Sequence, residues 1–389
     1  MNNKKQEYRF PPKSILQHYS EPDSFGIDPS TDTRTDIMIK VFKQFGTEVW
    51  IEGIKQGPTF RKYRFGFKQG TFNSSILKHS SSFSYNILAD DVRIIPPGPG
   101  NPSICVEVPN EKRFTVGFDC IVDALKVSTA RIPMALGKDV SGESVVTDLA
   151  ELQHVLLLGD EGSGKTICIN SLINSILYSR TPAQVQLQIA DCNYQGHSVY
   201  NGIPHLISPV MTDPQEVLKS MEGVCLEMER RMVLFKESGA IGIRAYNSFM
   251  EQKGEENSSL PYIVFIIDEF EPLMDGFKTE YEFWIKRITA VARFCGIHLI
   301  LSTKHVNRNI VTDVIRLNIP SRLMFRVCDD HYEKKRLFDS DAPKLEPRGD
   351  FLIYAPGSRA ANRIQGAFID AEIEKIVGSI TTWGKEKNT

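Results

Sequence analysis

Gly159-Asp160-Glu161-Gly162-Ser163-Gly164-Lys165-Thr166 concentrates glycines, a lysine and hydroxyls in one short stretch. That combination suits a chain of phosphates. Glycine lets the backbone turn so that successive N–H groups converge on one anion. Gly159, Gly162, Ser163 and Gly164 would supply that cradle, and Lys165 can reach the terminal phosphates of a nucleotide. The Thr166 hydroxyl is a ligand for Mg²⁺. An apolar run, Val155 to Leu158, precedes the segment, and a helical pattern, Ile167 to Tyr178, follows it. Strand, glycine-rich loop and helix in that order make a P-loop, with the positive end of the helix dipole at the anion.

A second constellation supplies carboxylates. Tyr262-Ile263-Val264-Phe265-Ile266-Ile267 is apolar throughout, as a central strand covered on both faces must be, and it ends in Asp268-Glu269. At the end of such a strand Asp268 would hold Mg²⁺, directly or through water. Glu269 would orient or deprotonate an attacking water. A P-loop followed by this element, in one chain, predicts ATP hydrolysis with Mg²⁺ as cofactor.

The rest of the chain must position these groups. Its 389 residues suffice for two domains, and 41% hydrophobic and 24% charged residues are ordinary for a globular protein. Seven cysteines, an odd number with no Cys-x-x-Cys pair, argue against a disulfide frame or a zinc site. No run approaches the length needed to span a bilayer, so a cytoplasmic location is expected. A formal net charge of −2 means that any nucleic-acid partner must be met by a local basic surface.

Residues 1–34 read as an arm and linker, 35–118 as a small α/β domain, and 119–389 as the nucleotide-hydrolysing domain. In the small domain, Asp36 to Phe45 and Ser75 to Ala89 are helix-like. Val49 to Ile51, Tyr63 to Phe67, Val92 to Ile95 and Ile104 to Val108 are strand-like. In the larger domain, strands are expected at 154–158, 185–190, 262–267, 298–302, 322–327 and 351–354. Helices such as Pro214 to Lys236 and Glu280 to Phe294 lie between them. The alternation implies a mostly parallel sheet covered by helices.

Several further strings occur in one order: Tyr8-Arg9-Phe10-Pro11-Pro12, Ala135-Leu136-Gly137-Lys138-Asp139-Val140-Ser141-Gly142, Val199-Tyr200-Asn201-Gly202-Ile203-Pro204-His205-Leu206, Asn318-Ile319-Pro320-Ser321-Arg322 and Arg348-Gly349-Asp350. With the two motifs above, they make the chain resemble the motor of the FtsK/SpoIIIE family of DNA translocases. The resemblance implies a RecA-like P-loop NTPase domain preceded by a small α/β domain. It also implies a homo-hexameric ring that passes double-stranded DNA through its channel.

The same resemblance assigns further roles. Arg293 matches an arginine that reaches a neighbouring subunit's γ-phosphate, where a guanidinium fork suits spread transition-state charge. Thr303 is placed by the strand pattern itself: at the end of a strand beside Asp268 it would either sense the γ-phosphate or serve as a capping or turn threonine. A first DNA-facing loop maps to Ser302 to Asn318 and offers Lys304, His305, Arg308 and Arg316. A second maps to Cys328 to Lys334, where Lys334 would contact DNA while Asp329 and Asp330 oppose it.

The chain departs from the family pattern at Asp191-Cys192-Asn193 and Ser340-Asp341, and carries two acids, Asp160 and Glu161, in the phosphate loop. A divergent branch serving a plasmid, a phage or a conjugative element is expected, with chromosome transfer as the other setting. Neither a membrane anchor nor a winged-helix module is seen, so a membrane or relaxase partner protein would recruit the motor and give it direction. Two substrate classes stay open at this point: duplex DNA, and protein as in the related ATPases of type VII secretion.

Overall fold

A computed structural model describes residues 8–20, 32–89, 92–98, 102–255, 258–305, 307–327, 345–358 and 361–383. Its described strands form two sheets.

The smaller sheet has the order β1-β2-β4-β3 and is antiparallel throughout. Its strands are β1 (Val49–Gln56), β2 (Phe60–Phe67), β3 (Arg93–Ile95) and β4 (Ile104–Pro109). Helices α1 (Thr33–Gln44) and α2 (Ser80–Ile87) cover one face. Met38 and Phe42 of α1 and Phe83 of α2 bury themselves against Tyr63, Phe65, Ile104 and Val106. Asp32 caps α1 by accepting the N–H of Arg34.

The larger sheet has nine strands in the order β6-β5-β13-β12-β11-β7-β10-β9-β8. Five of them run parallel as neighbours: β11 (Ser321–Phe325), β7 (Val155–Leu158), β10 (Ile297–Thr303), β9 (Tyr262–Asp268) and β8 (Val185–Asp191). The other four, β5 (Pro133–Asp139), β6 (Ser144–Asp148), β12 (Asp350–Tyr354) and β13 (Asn362–Gly366), form an antiparallel wing. The parallel half is what the apolar runs announced. The wing is what they did not, apart from β12.

Helices lie on both faces. They are α3 (Val122–Val127), α4 (Leu149–Leu152), α5 (Lys165–Leu177), α6 (Pro214–Ser238), α7 (Gly242–Gln252), α8 (Glu271–Val291), α9 (Asp313–Asn318) and α10 (Ile373–Trp383). On one face Leu157, Ile189 and Ile266 meet Leu172, Ile173 and Ile176 of α5 and Ile376 and Ile380 of α10. On the other, Leu156, Phe265, Ile267 and Leu299 meet Met221 and Met228 of α6 and Tyr281 and Ile285 of α8. Alternate side chains of each strand thus feed two cores, which is why the strands read as unbroken apolar runs. Helix α6 begins at Asp213-Pro214, where the Asp213 carboxylate accepts from Gln215 N, and stops at Gly239 with φ 69°. Helix α8 starts at Glu271, earlier than Glu280, because a kink at Phe277 (φ −140°) interrupts the pattern.

Residues 8–20 lie along the larger domain. The Tyr8 hydroxyl donates to Leu177 O at 2.9 Å, and Gln17 N donates to Glu372 Oε1 at 3.0 Å. The linker expected to follow them, 21–31, lies outside the described residues. Between the domains, Arg363 of β13 is held by Asp350 at 2.6 Å, lies 3.8 Å from Glu107 of β4, and covers the Phe60 ring at 3.6 Å.

Candidate nucleotide site

Parallel strands bring the chemistry to one edge. β10 runs between β7, which leads into the phosphate loop, and β9, which ends in Asp268. β8 ends in Asp191, in register with Asp268. Ligands of open α/β sheets bind at this carboxyl edge. Here a pocket of about 830 Å³ opens beside the phosphate loop, with Lys165, Thr166 and Glu269 on its wall.

The loop has the backbone that its glycines predict. Gly162 and Gly164 have φ of 72° and 110°, the left-handed region that glycine enters without strain. A Cβ at Gly162 would meet nothing within 4 Å, so this arm of the cradle is open. At Gly164 a Cβ would lie 2.6 Å from Gly349 N. The Ser163 hydroxyl is buried and has no hydrogen-bond partner among the described residues. An orphaned donor in a glycine cradle at a helix start fits a phosphate group. Gly159 packs against Phe325, where a Cβ would come within 2.6 Å of the ring-bearing carbon.

Lys165 turns into the loop. Its ammonium donates to Gly159 O at 2.8 Å and Asp160 O at 3.2 Å, and it lies 3.1 Å from Glu269 Oε1. Glu269 adopts φ 51°, unusual for a residue with a side chain, just after β9 ends. Its N–H donates to Ser302 Oγ at 2.9 Å, and its Oε2 accepts Lys304 N at 2.9 Å. Burial pushes the Glu269 carboxyl up to about 7, with Lys165 opposing and the nearby Glu271 adding to it.

Asp268 is fully buried, with both oxygens engaged. Oδ1 accepts the Ser302 hydroxyl, and Oδ2 lies 2.7 Å from His197 Nε2. Burial raises its affinity for a proton, but His197, Ser302 and Lys165 together outweigh that and hold the carboxyl below its usual range. Thr166 faces the pocket as expected of a metal ligand, whereas Asp268 stands behind its wall.

The Thr303 hydroxyl is committed to Glu271, whose buried carboxylate also accepts Lys304 N at 3.1 Å. It does not face the pocket in this arrangement, because Glu271 needs its proton. Arg293 is exposed in the turn between α8 and β10, with its guanidinium 4.7 Å from the Phe294 ring. That turn precedes the start of β10, at the far edge of the sheet from the phosphate loop. The seven residues of β10 separate the two edges by roughly 20 Å. Lys304, His305 and Arg308 lie on the loop after β10, at the pocket's edge of the sheet. His305 and Arg308 are exposed and Lys304 is half-buried. Arg316, on α9, is 3.1 Å from Asp313. Lys334, Asp329 and Asp330 lie outside the described residues.

Comparison with known proteins agrees with this geometry. The model of the FtsK/SpoIIIE family matches residues 122–308, and that of the FtsK alpha domain matches residues 10–110. The chain belongs to the FtsK/SpoIIIE family. It is 37% identical over 376 residues to the DNA translocase FtsK of Treponema pallidum, covering 96% of this chain and 47% of that one. The DNA translocase FtsK of Staphylococcus aureus is 35% identical over 378 residues, covering 96% and 48%. The chain therefore spans about half the length of these relatives. Among solved structures, the pCW3 conjugation coupling protein TcpA, in monomer form with ATPγS, superposes with a TM-score of 0.58 at 18% identity, covering 90% of this chain and 99% of that one. The EssC ATPases 2 and 3 of Geobacillus thermodenitrificans superpose with a TM-score of 0.56 at 20% identity, covering 67% and 50%. These two share its fold. This member of the FtsK/SpoIIIE family carries its phosphate loop, Lys165, Thr166 and Glu269 on one pocket.

Three groups at the FtsK-type site escape sequence reasoning. Ser302 and Glu271 flank residues already singled out, so their place at the strand ends is a signal that was available. His197 gives none. It enters through a short turn whose N–H groups at Gln195, Gly196 and His197 all donate to Asp191. Among the described residues, no helix is long and apolar enough to cross a membrane.

Proposed function

We propose that the chain is the motor of an ATP-driven double-stranded DNA translocase that works as a homo-hexameric ring. Its setting is DNA movement by a plasmid, phage or conjugative element, or chromosome transfer. The observation that carries the reading is membership of the FtsK/SpoIIIE family by a chain whose Arg293 sits at the opposite sheet edge from its own phosphate loop. An arginine so placed can act on nucleotide only in another copy, and a ring gives every copy such a neighbour.

In the hydrolytic step, the loop N–H groups and Lys165 bind the phosphates of ATP. Glu269 accepts the proton of the water that attacks the terminal phosphorus, and the bond to the bridging oxygen breaks to release ADP. Mg²⁺, held by Thr166 with Asp268 acting through water, would neutralise charge on the phosphates. Arg293 of one copy would stabilise the charge that spreads over the transferred group in the next. Lys304, His305 and Arg308 would face the channel and contact DNA phosphates. A membrane or relaxase partner would recruit the ring to its site of action.

The test is ATP turnover by the purified chain with and without linear duplex DNA. Stimulation by DNA supports the proposal. Turnover that responds only to a protein partner would replace it with a protein-moving motor.

A further inference from the structure

The nucleotide pocket has a second basic wall, outside the motifs that define it. Arg348 and Gly349 stand against the phosphate loop on the segment leading into β12. Gly349 N donates to Ser163 O at 2.8 Å, Gly366 N donates to Gly349 O at 2.7 Å, and Gln365 Nε2 donates to Arg348 O at 2.9 Å. The segment is thus pinned between the loop and β13.

Arg348 itself adopts φ 66°, where a side chain strains the backbone. Glycine would take that conformation freely, and Gly349 beside it does, at φ 95°. An arginine retained there calls for something that its side chain does. Its local folding role is slight: the side chain is exposed, and the guanidinium has no partner among the described residues. Two acids of this stretch are already engaged, Glu346 by Arg113 at 2.8 Å and Asp350 by Arg363 at 2.6 Å. Arg348 is nevertheless a wall residue of the pocket that holds Lys165 and Thr166.

From this we infer that Arg348 is a nucleotide-binding residue, a guanidinium supplied by the same chain to the phosphates of the bound nucleotide. The inference rests on the reading of this pocket as an ATP site. A planar cation with five donors, free of partners among the described residues and carried by a backbone pinned beside a phosphate cradle, recognises phosphate oxygens in preference to a neutral base or ribose. It complements Arg293, which is out of reach of this pocket in its own chain.

The experiment is calorimetric binding of ADP and of adenosine, each with Mg²⁺, to the wild-type chain and to Arg348→Ala, Arg348→Lys and Arg348→Gly, with melting temperatures alongside. Wild type must bind ADP, and its failure to do so would overturn the ATP-site reading itself. Given that binding, Arg348→Ala and Arg348→Gly are expected to lose about tenfold or more in ADP affinity, as a charge-assisted contact implies, and to keep their affinity for adenosine. Arg348→Lys should recover part of the loss. Arg348→Gly, which relieves the backbone, should melt no lower than wild type and so carries the test if the alanine variant folds poorly. Unchanged ADP affinity in the glycine variant, or equal losses for ADP and adenosine, would overturn the inference.

Discussion

The ammonium of Lys165 lies 3.1 Å from Oε1 of Glu269, and the two side chains are only 4% and 5% exposed. The group meant for phosphate and the group meant for water thus hold each other. In the proposed mechanism, incoming phosphates would compete for Lys165, and taking it would release Glu269 to meet water. The pair keeps a buried carboxylate and a buried ammonium satisfied until nucleotide enters.

Two substitutions separate these duties. Lys165→Ala should abolish ATP binding, because it removes the charge on the phosphates and leaves Glu269 buried alone. Glu269→Gln should bind ATP at least as well as wild type but hydrolyse it about 10²- to 10⁴-fold more slowly, as loss of a general base implies. Equilibrium binding of a fluorescent ATP analogue and steady-state turnover read the two effects. Wild-type turnover by Glu269→Gln would remove Glu269 from the assigned role.

Arg293 should act across a subunit boundary. Arg293→Ala is expected to bind ATP normally in each subunit and to lose turnover. Mixing it with Lys165→Ala subunits should restore some activity, since certain interfaces then join an intact arginine to an intact phosphate loop. Loss of ATP binding by Arg293→Ala alone would mark a structural role instead.

The salt dependence of DNA binding tests the loop after β10. Each phosphate contact contributes roughly one unit of slope in log affinity against log salt. Neutralising Lys304 and Arg308 together should flatten that slope by about two units while sparing basal turnover. Arg316 should count for less, because Asp313 at 3.1 Å already offsets its charge. An unchanged slope in the Lys304, Arg308 and Arg316 triple variant would take DNA contact away from this loop.

Two histidines at the far edge of the sheet set an acid limit on stability. Burial drives His154 down to about 3, with the positive charges of His298 and Arg293 adding to it. Burial drives His298 down to about 4, against the opposing hydrogen bond to Gln153 O. Asp148 and Arg131 also bear on His298, with opposite signs. In the unfolded chain each would titrate near 6.5. The unfolded state therefore binds more protons below that pH, so stability is complete above about 6.5 and falls as pH drops towards 4. Urea midpoints at pH 7.5 and 5 should differ less in His298→Gln than in wild type. An equal difference in both would mean that His298 is not the group responsible.

What was legible follows from how each element is buried. β7, β9 and β10 are covered on both faces, so they appear as apolar runs ending in Asp268 or Thr303, and the phosphate loop carries its own spacing. The wing was hidden because β5 and β13 carry polar residues into the sheet. Lys138 and Arg363 are buried there, and Arg363 is paid for by Asp350 and Glu107, partners distant in sequence. His197 was hidden for the same reason: its role exists only once β8 and β9 lie side by side. Arg348 depends on a backbone conformation that its residue type argues against.

The central claim, that ATP hydrolysis here moves duplex DNA, is tested most directly by displacement of a triplex-forming oligonucleotide from linear duplex DNA. The wild-type chain with ATP should strip the third strand, and Glu269→Gln, expected to bind ATP and DNA but to turn over far more slowly, should leave it in place on the same timescale. DNA-stimulated hydrolysis by wild type with no strand displaced would contradict the account.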